Sequence, residues 1–200
     1  NFITSIDVKF MHKFPNVEAF DIAQNQITKI QGFEKMPKLK FLDISQNSVV
    51  LIEDLEQNKE LHQIIAFSNK IHSVFLRSQL TKLTYLDLRT NLINSINFGH
   101  KMPRLSTLIV SNCQIQDMPQ FDTFPNLKYL DISRNKIEYI KEKITTNSLN
   151  TLIISRNQLT NLDYFRAFRK LKELDISYNT IEDAGFCKAV SLKELKALNA

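Results

Sequence analysis

Residues 127–137 read LKYLDISRNKI, with leucine or isoleucine at the first, fourth, sixth and eleventh places and asparagine at the ninth. The same frame returns 22 residues away in either direction. Its first place falls on Val17, Leu39, Leu61, Leu83, Leu105, Leu127, Leu149 and Leu171. The ninth falls on Asn25, Asn47, Asn69, Asn91, Cys113, Asn135, Asn157 and Asn179, and the eleventh on Ile27, Val49, Ile71, Ile93, Ile115, Ile137, Leu159 and Ile181. A fixed period of this length marks a chain of stacked units, each burying its apolar side only against its neighbours.

The fourth and sixth places, here Leu130 and Ile132, alternate with polar or exposed neighbours, which is the period of a short half-buried strand. Asparagine follows where the chain must turn away, and its side chain can pair backbone groups that a turn leaves unpaired. A returning segment comes next, with Ile140 and Ile144 as its apolar anchors in this unit and Phe121 and Phe124 in the one before. So short a unit leaves little room for a long helix. The spacing predicts 3-10 or extended turns on the return, with a few longer helical pieces. Pro15, Pro37, Pro103 and Pro125 each sit two residues before the first place, where a missing N–H does no harm to a strand's approach.

The frame resembles the leucine-rich-repeat family, whose consensus L-x-x-L-x-L-x-x-N/C-x-L also admits Cys113. The resemblance covers essentially the whole chain. It implies an α/β solenoid, a horseshoe with a parallel β-sheet on its concave face and short 3-10, extended or helical segments on its convex face. Residues 1–200 are read as a single array of about eight full repeats with partial repeats at both ends. Asn1–Ile6 matches the ninth to fourteenth places, as in Asn25–Ile30, and Leu192, Leu195, Leu198 and Ala200 match the approach and strand of a further unit, with Asn199 outward. Solenoids need polar terminal caps, so the 200 residues are expected to belong to a longer protein.

A second period runs inside the first. The fifth place reads Asp21, Asp43, Ile65, Asp87, Ile109, Asp131, Ile153, Asp175, so that from Asp43 onward Asp and Ile alternate. The third place follows with Phe41, Gln63, Tyr85, Thr107, Tyr129 and Thr151, until Glu173 breaks the pattern. The anchors Phe33/Met36, Phe121/Phe124 and Phe165/Phe168 precede Asp-type units, whereas Lys143/Thr146 precedes an Ile-type one. The concave sheet is expected to carry alternating acidic–aromatic and aliphatic rows.

The rest of the sequence narrows the function classes. The longest apolar runs, such as Val49–Ile52, are four residues, whereas a membrane-spanning helix needs about 20. No signal peptide is visible at the start of the chain. The net charge is +5, and the whole of the excess is matched between Arg134 and Lys172, where nine Lys/Arg stand against three Asp/Glu. That stretch reads as a solvated surface or an anionic contact for an acidic protein, a phosphorylated segment or an anionic membrane. No nucleic-acid partner is expected, because no basic run or nucleic-acid fold signature accompanies the charge. Cys113 and Cys187 form no CxxC pair, and no Asn-x-Ser/Thr sequon occurs, which favours an intracellular home.

No catalytic, cofactor-binding or metal-binding constellation is found. Gly32, Gly99 and Gly185 are too far apart to cradle a phosphate, and His12, His62, His72 and His100 do not cluster at ligand spacing. The resemblance implies that positions two, three, five, seven and eight face outward from the concave sheet. The candidate partner-binding residues are therefore Phe41, Phe67, Tyr85, Asp87, Arg89, Ile109, Tyr129, Asp131, Arg134, Ile153, Arg156 and Tyr178, with Ile65 beside them. Aromatics and Arg are the residue types enriched in binding hot spots. The reading is a non-enzymatic scaffold for a protein or peptide, resembling the intracellular adaptor and phosphatase-regulatory branch of the family. The alternatives are a receptor or adhesin ectodomain and a regulatory segment of a larger enzyme.

Overall fold

A computed structural model describes residues 1–74, 80–140, 148–182 and 192–200. Ile144, the Lys143/Thr146 pair and Cys187 lie outside the described residues. Nine strands form one parallel sheet in chain order: Ala19–Asp21, Phe41–Asp43, Gln63–Ile65, Tyr85–Asp87, Thr107–Ile109, Tyr129–Asp131, Thr151–Ile153, Glu173–Asp175 and Ala197–Asn199. Each is three residues long and occupies the third to fifth places of its unit, so equal places lie side by side: Leu86 pairs with Leu108, and Leu108 with Leu130. The expected solenoid is thus present, with the parallel sheet in the place of its concave face.

The inward places fill one continuous core. Leu39, Leu42, Ile44 and Val49 of one unit and Leu127, Leu130, Ile132 and Ile137 of another are wholly buried. On the return side, Phe98 meets Phe124, and Phe121 meets Phe168, edge to face, both at 5.8 Å between ring centroids. Such tilted pairs add to the stabilisation that burial of the rings already provides.

The convex side carries 3-10 turns at Phe33–Lys35, Phe121–Thr123 and Phe165–Ala167, and two short paired strands, Leu51–Ile52 and Ser73–Val74. Among the described residues the only α-helix is the four-residue Val8–Met11, so the longer helical pieces expected there are absent from them. The three turns begin at equivalent places of alternate units, which carries the double period onto the convex side.

The asparagine ladder follows the expected chemistry. The Asn135 amide donates to Val110 O at 2.9 Å and to Ile132 O at 3.0 Å, while its Oδ1 accepts Ile115 N–H at 2.9 Å. One side chain therefore ties three backbone groups across two adjacent turns. Asn47, Asn69, Asn91, Asn157 and Asn179 repeat the pattern. Asn25 joins the same ladder, and Ile3 N–H reaches its Oδ1 over 22 residues where Ile27 reaches Asn47 over 20. The Val8–Met11 helix occupies this longer unit.

Candidate functional site

The concave face is built of rows that run across the strands about 4.8 Å apart. In the third-place row Phe41, Gln63, Tyr85, Thr107, Tyr129, Thr151 and Glu173 are neighbours in register. Phe41, Tyr85 and Tyr129 are half-buried, each ring showing part of its surface. Burial, and then the charges of Asp87 and Asp131 respectively, push the Tyr85 and Tyr129 phenols above their ordinary pKa. The fifth-place row alternates in register through Asp43, Ile65, Asp87, Ile109, Asp131, Ile153 and Asp175, with Ile65, Ile109 and Ile153 half-buried.

The aspartates have a structural task that the spacing alone did not disclose. Oδ1 of Asp21, Asp43, Asp87, Asp131 and Asp175 accepts the backbone N–H two residues on, at 2.8–3.1 Å. The Ser133 and Ser177 hydroxyls donate to the same oxygens of Asp131 and Asp175 at 2.7 Å. Each carboxylate thus closes the bend where its strand ends, which is a favoured use of a short acidic side chain.

Two expectations about the outward places need correction. Asp87 is buried rather than presented: it stands between Ile65 and Ile109 in register, and its Oδ2 lies 3.4 Å from Arg89 Nε. Position seven is also shielded in half of the eight units, since Ser45, Ser111, Ser155 and Ser177 are buried. Ala23 and Ser133 are half-buried, and the large members of that row are Phe67, half-buried, and Arg89, exposed.

Burial raises the Asp87 pKa, and Asp131 and Asp43 add to it, against the Arg89 N–H and charge that lower it. A carboxyl whose folded pKa is raised binds protons more readily in the folded state than in the unfolded one. Stability is then expected to fall as pH rises from the unfolded value through the raised folded value. Asp87→Asn keeps an acceptor for Arg89 N–H and removes the titration. Denaturation followed from acid to neutral pH should therefore show a flatter profile for Asp87→Asn, and an unchanged slope would exclude Asp87 as its source.

Position eight lies at the rim, where the chain leaves the sheet. Gln24, Gln46, Ser68, Thr90, Asn112, Arg134, Arg156 and Tyr178 all adopt left-handed backbone there, with φ between 52° and 57°. Arg134, Arg156 and Tyr178 are exposed, Tyr178 at 70%. Arg156 Cζ stacks 4.0 Å from the centre of the Tyr178 ring, and Arg89 Cζ lies 4.8 Å from that of Phe67. The basic stretch from Arg134 to Lys172 is not one patch. Arg134, Lys136 and Arg156 belong to the sheet end of their units, whereas Arg166 lies in a convex 3-10 turn, with Arg169 and Lys170 just after it. A repeating chain wraps its sequence around the solenoid and distributes neighbouring charges over opposite faces.

The remaining reactive groups are quiet. Cys113 fills the ladder, its Sγ 3.6 Å from both Leu88 O and Ser111 O, and burial pushes the thiol up to about 11. Among the described residues no group of three or more His, Cys, Asp or Glu could hold a metal ion, and no helix is long and apolar enough to cross a membrane. A polar hollow of about 310 Å³ lies on the flank, lined by Gln116, Asp117, Lys136, Glu138, Tyr139 and Gln158. Its lining residues follow or flank the ninth place, off the concave rows, and no sequence expectation covers it.

Three family models match the chain, each described as leucine-rich repeat: over residues 1–49, over 103–144 as two copies, and over 169–185, together just over half of its length. No curated protein matches it. Among solved structures, a leucine-rich-repeat protein of Leptospira interrogans superposes with a TM-score of 0.85 at 22% identity, covering 98% of this chain and 52% of that one. TLR13 in its complex with ssRNA13 gives 0.84 at 21% identity, over 98% of this chain and 30% of the other. The functional domain of InlJ from Listeria monocytogenes, which includes a cysteine ladder, gives 0.67 at 21% identity, over 100% and 46%. The chain spans about half the length of these proteins or less, and at such identities the likeness concerns the fold.

Proposed function

The chain belongs to the leucine-rich-repeat family, and from that premise we propose that it is a protein-binding scaffold that grips a protein or peptide across its concave face. The observation that carries this reading is the registered surface of half-buried rings and aliphatics. Phe41, Tyr85 and Tyr129 lie in one row, and Ile65, Ile109 and Ile153 in the next. A rigid sheet that alternates rings and aliphatics with polar and acidic neighbours, with Arg at its rim, has the composition of a recognition surface. Aromatic anchors held by a sheet lose little conformational freedom on binding.

A catalytic role has less support. The carboxylates of the concave row stand two strands apart and are engaged in closing bends, and the Cys113 thiol is held protonated at neutral pH. In this reading residues 1–200 act as one uninterrupted array in an intracellular adaptor or regulatory subunit, a home favoured by the scarcity of cysteine and the lack of a glycosylation sequon. A receptor ectodomain or an enzyme-regulating segment would use the same face, and the compartment of the tagged full-length protein separates the first of these from the adaptor.

The test is the affinity of the full-length protein's partner for Tyr85→Ala and Tyr129→Ala. Each substitution should weaken binding by at least about 1 kcal/mol, roughly fivefold, as loss of a hot-spot ring does. Unchanged affinity with an intact circular dichroism spectrum would move the site off the concave face.

A further inference from the structure

We propose that the rim of the concave face at Arg134 and Arg156 takes an acidic segment of a protein partner. The inference rests on the reading of the concave face as the binding surface and names the chemistry that one part of it recognises. The position-eight row is continuous. Asn112 Nδ2 donates to Thr90 Oγ1 at 3.2 Å, Arg134 follows, and Arg156 covers the Tyr178 ring. The Arg134 and Arg156 N–H groups bond to Ser155 O and Ser177 O at 2.9 Å, so the two arginines occupy adjacent rungs about 4.8 Å apart. Their backbones are fixed in the left-handed region at φ 54° and 55°, which sets the direction in which both side chains leave the chain.

Neither guanidinium is neutralised by a carboxylate among the described residues. Other cations at the edges of the sheet are: Lys40 meets Glu18 at 2.7 Å, Lys82 meets Glu60 at 2.6 Å and Arg89 meets Asp87 at 3.4 Å. The partner that Arg156 does have is the Tyr178 ring, whose centre lies 4.0 Å from its Cζ, and the residue stays exposed. Two exposed guanidinium forks side by side match the oxygens of carboxylates, which they bind in paired hydrogen bonds.

The same strands argue for a polypeptide rather than a nucleic acid. Asp131 and Asp175 run along the fifth-place row, inward of the serines of position seven, and Glu173 lies beside Asp175 on its strand. A phosphate backbone laid across the face would meet them at every second strand. A peptide can place acidic side chains over the rim arginines and uncharged or basic ones over the aspartates, complementing both rows.

Fluorescence anisotropy with the full chain tests this, using labelled short oligoglutamate, oligolysine and oligouridylate as probes. Oligoglutamate should bind, lose affinity as salt is added, and lose at least about tenfold with Arg134→Gln combined with Arg156→Gln, both exposed positions where folding is retained. Equal oligoglutamate binding by that double variant overturns the proposal. So does arginine-dependent binding of oligouridylate in place of oligoglutamate, which would identify a nucleic-acid partner. If wild-type protein ignores oligoglutamate while Tyr85→Ala and Tyr129→Ala still lose the partner, the acidic-segment inference falls and the concave-face reading stands. If oligoglutamate binds through the two arginines while both tyrosine variants keep full affinity, the rim site stands and the wider reading falls.

Discussion

Asn135→Ala is expected to destabilise the solenoid by about 3 kcal/mol or more, read as a lower urea midpoint. The side chain is buried at 7% exposure and holds Ile115 N–H, Val110 O and Ile132 O, all in the interior of the stack. Alanine leaves Ile115 N–H and Val110 O without these partners, while Ile132 O keeps the Asn157 amide at 3.1 Å, and each buried orphan costs about 1–3 kcal/mol. Because a solenoid's stability sums unit and interface contributions, the loss falls on the interface between this unit and the one before it. Asn135→Cys should cost less, since Cys113 shows that a thiol can occupy a rung of the ladder with its sulfur against two carbonyls. Equal losses for the two variants would mean that the amide's hydrogen bonds matter less than its volume.

Leu130→Ala is expected to cost about 2–5 kcal/mol through the cavity it leaves. Leu130 is wholly buried and sits in register between Leu108 and Leu152, both also buried. The side chains on either rung are fixed by their own strands, so the stack has little freedom to close the gap. Thermal unfolding monitored by circular dichroism checks this, and a change within error would mean that the fourth place does not point inward.

The inward half of the structure was legible because packing imposes a strict rule on few residue types. Leu130, Ile132 and Ile137 must be apolar, and the ninth place must offer both a donor and an acceptor, so the frame LKYLDISRNKI announces its own fold. The outward half obeys no such rule. Apart from Asn112, nothing in the residues at position eight signals left-handed backbone, because Gln, Ser, Thr, Arg and Tyr stand where glycine or asparagine would be the usual marker. The conformation is imposed by stacking: Gln24, Gln46, Ser68, Thr90, Asn112, Arg134 and Arg156 each direct a backbone N–H to a carbonyl of the next unit. Strain of this kind persists where the surroundings over-determine it.

The candidate site was legible by row but not by depth. Phe41, Tyr85, Tyr129 and Ile109 stand half-buried on the sheet, and Arg134, Arg156 and Tyr178 stand out at its rim. Asp87 does not, although its place in the frame is that of Asp131. The difference lies in its surroundings: Phe67 and Arg89, on neighbouring bends, are large where other units carry serine or alanine. The bend-closing role of the aspartates was hidden for a related reason. It depends on the backbone two residues on, and a column of acids in a sequence reads equally well as a charged surface.

The most direct measurement is a photo-crosslinking scan, with a photoreactive amino acid placed singly at Tyr85, Tyr129 and Ile153 on the concave face and at Arg166 and Arg169 on the convex side. The account predicts that the same partner polypeptide is captured from the three concave positions and from neither convex one. Capture from Arg166 or Arg169, with the concave positions silent, would contradict it.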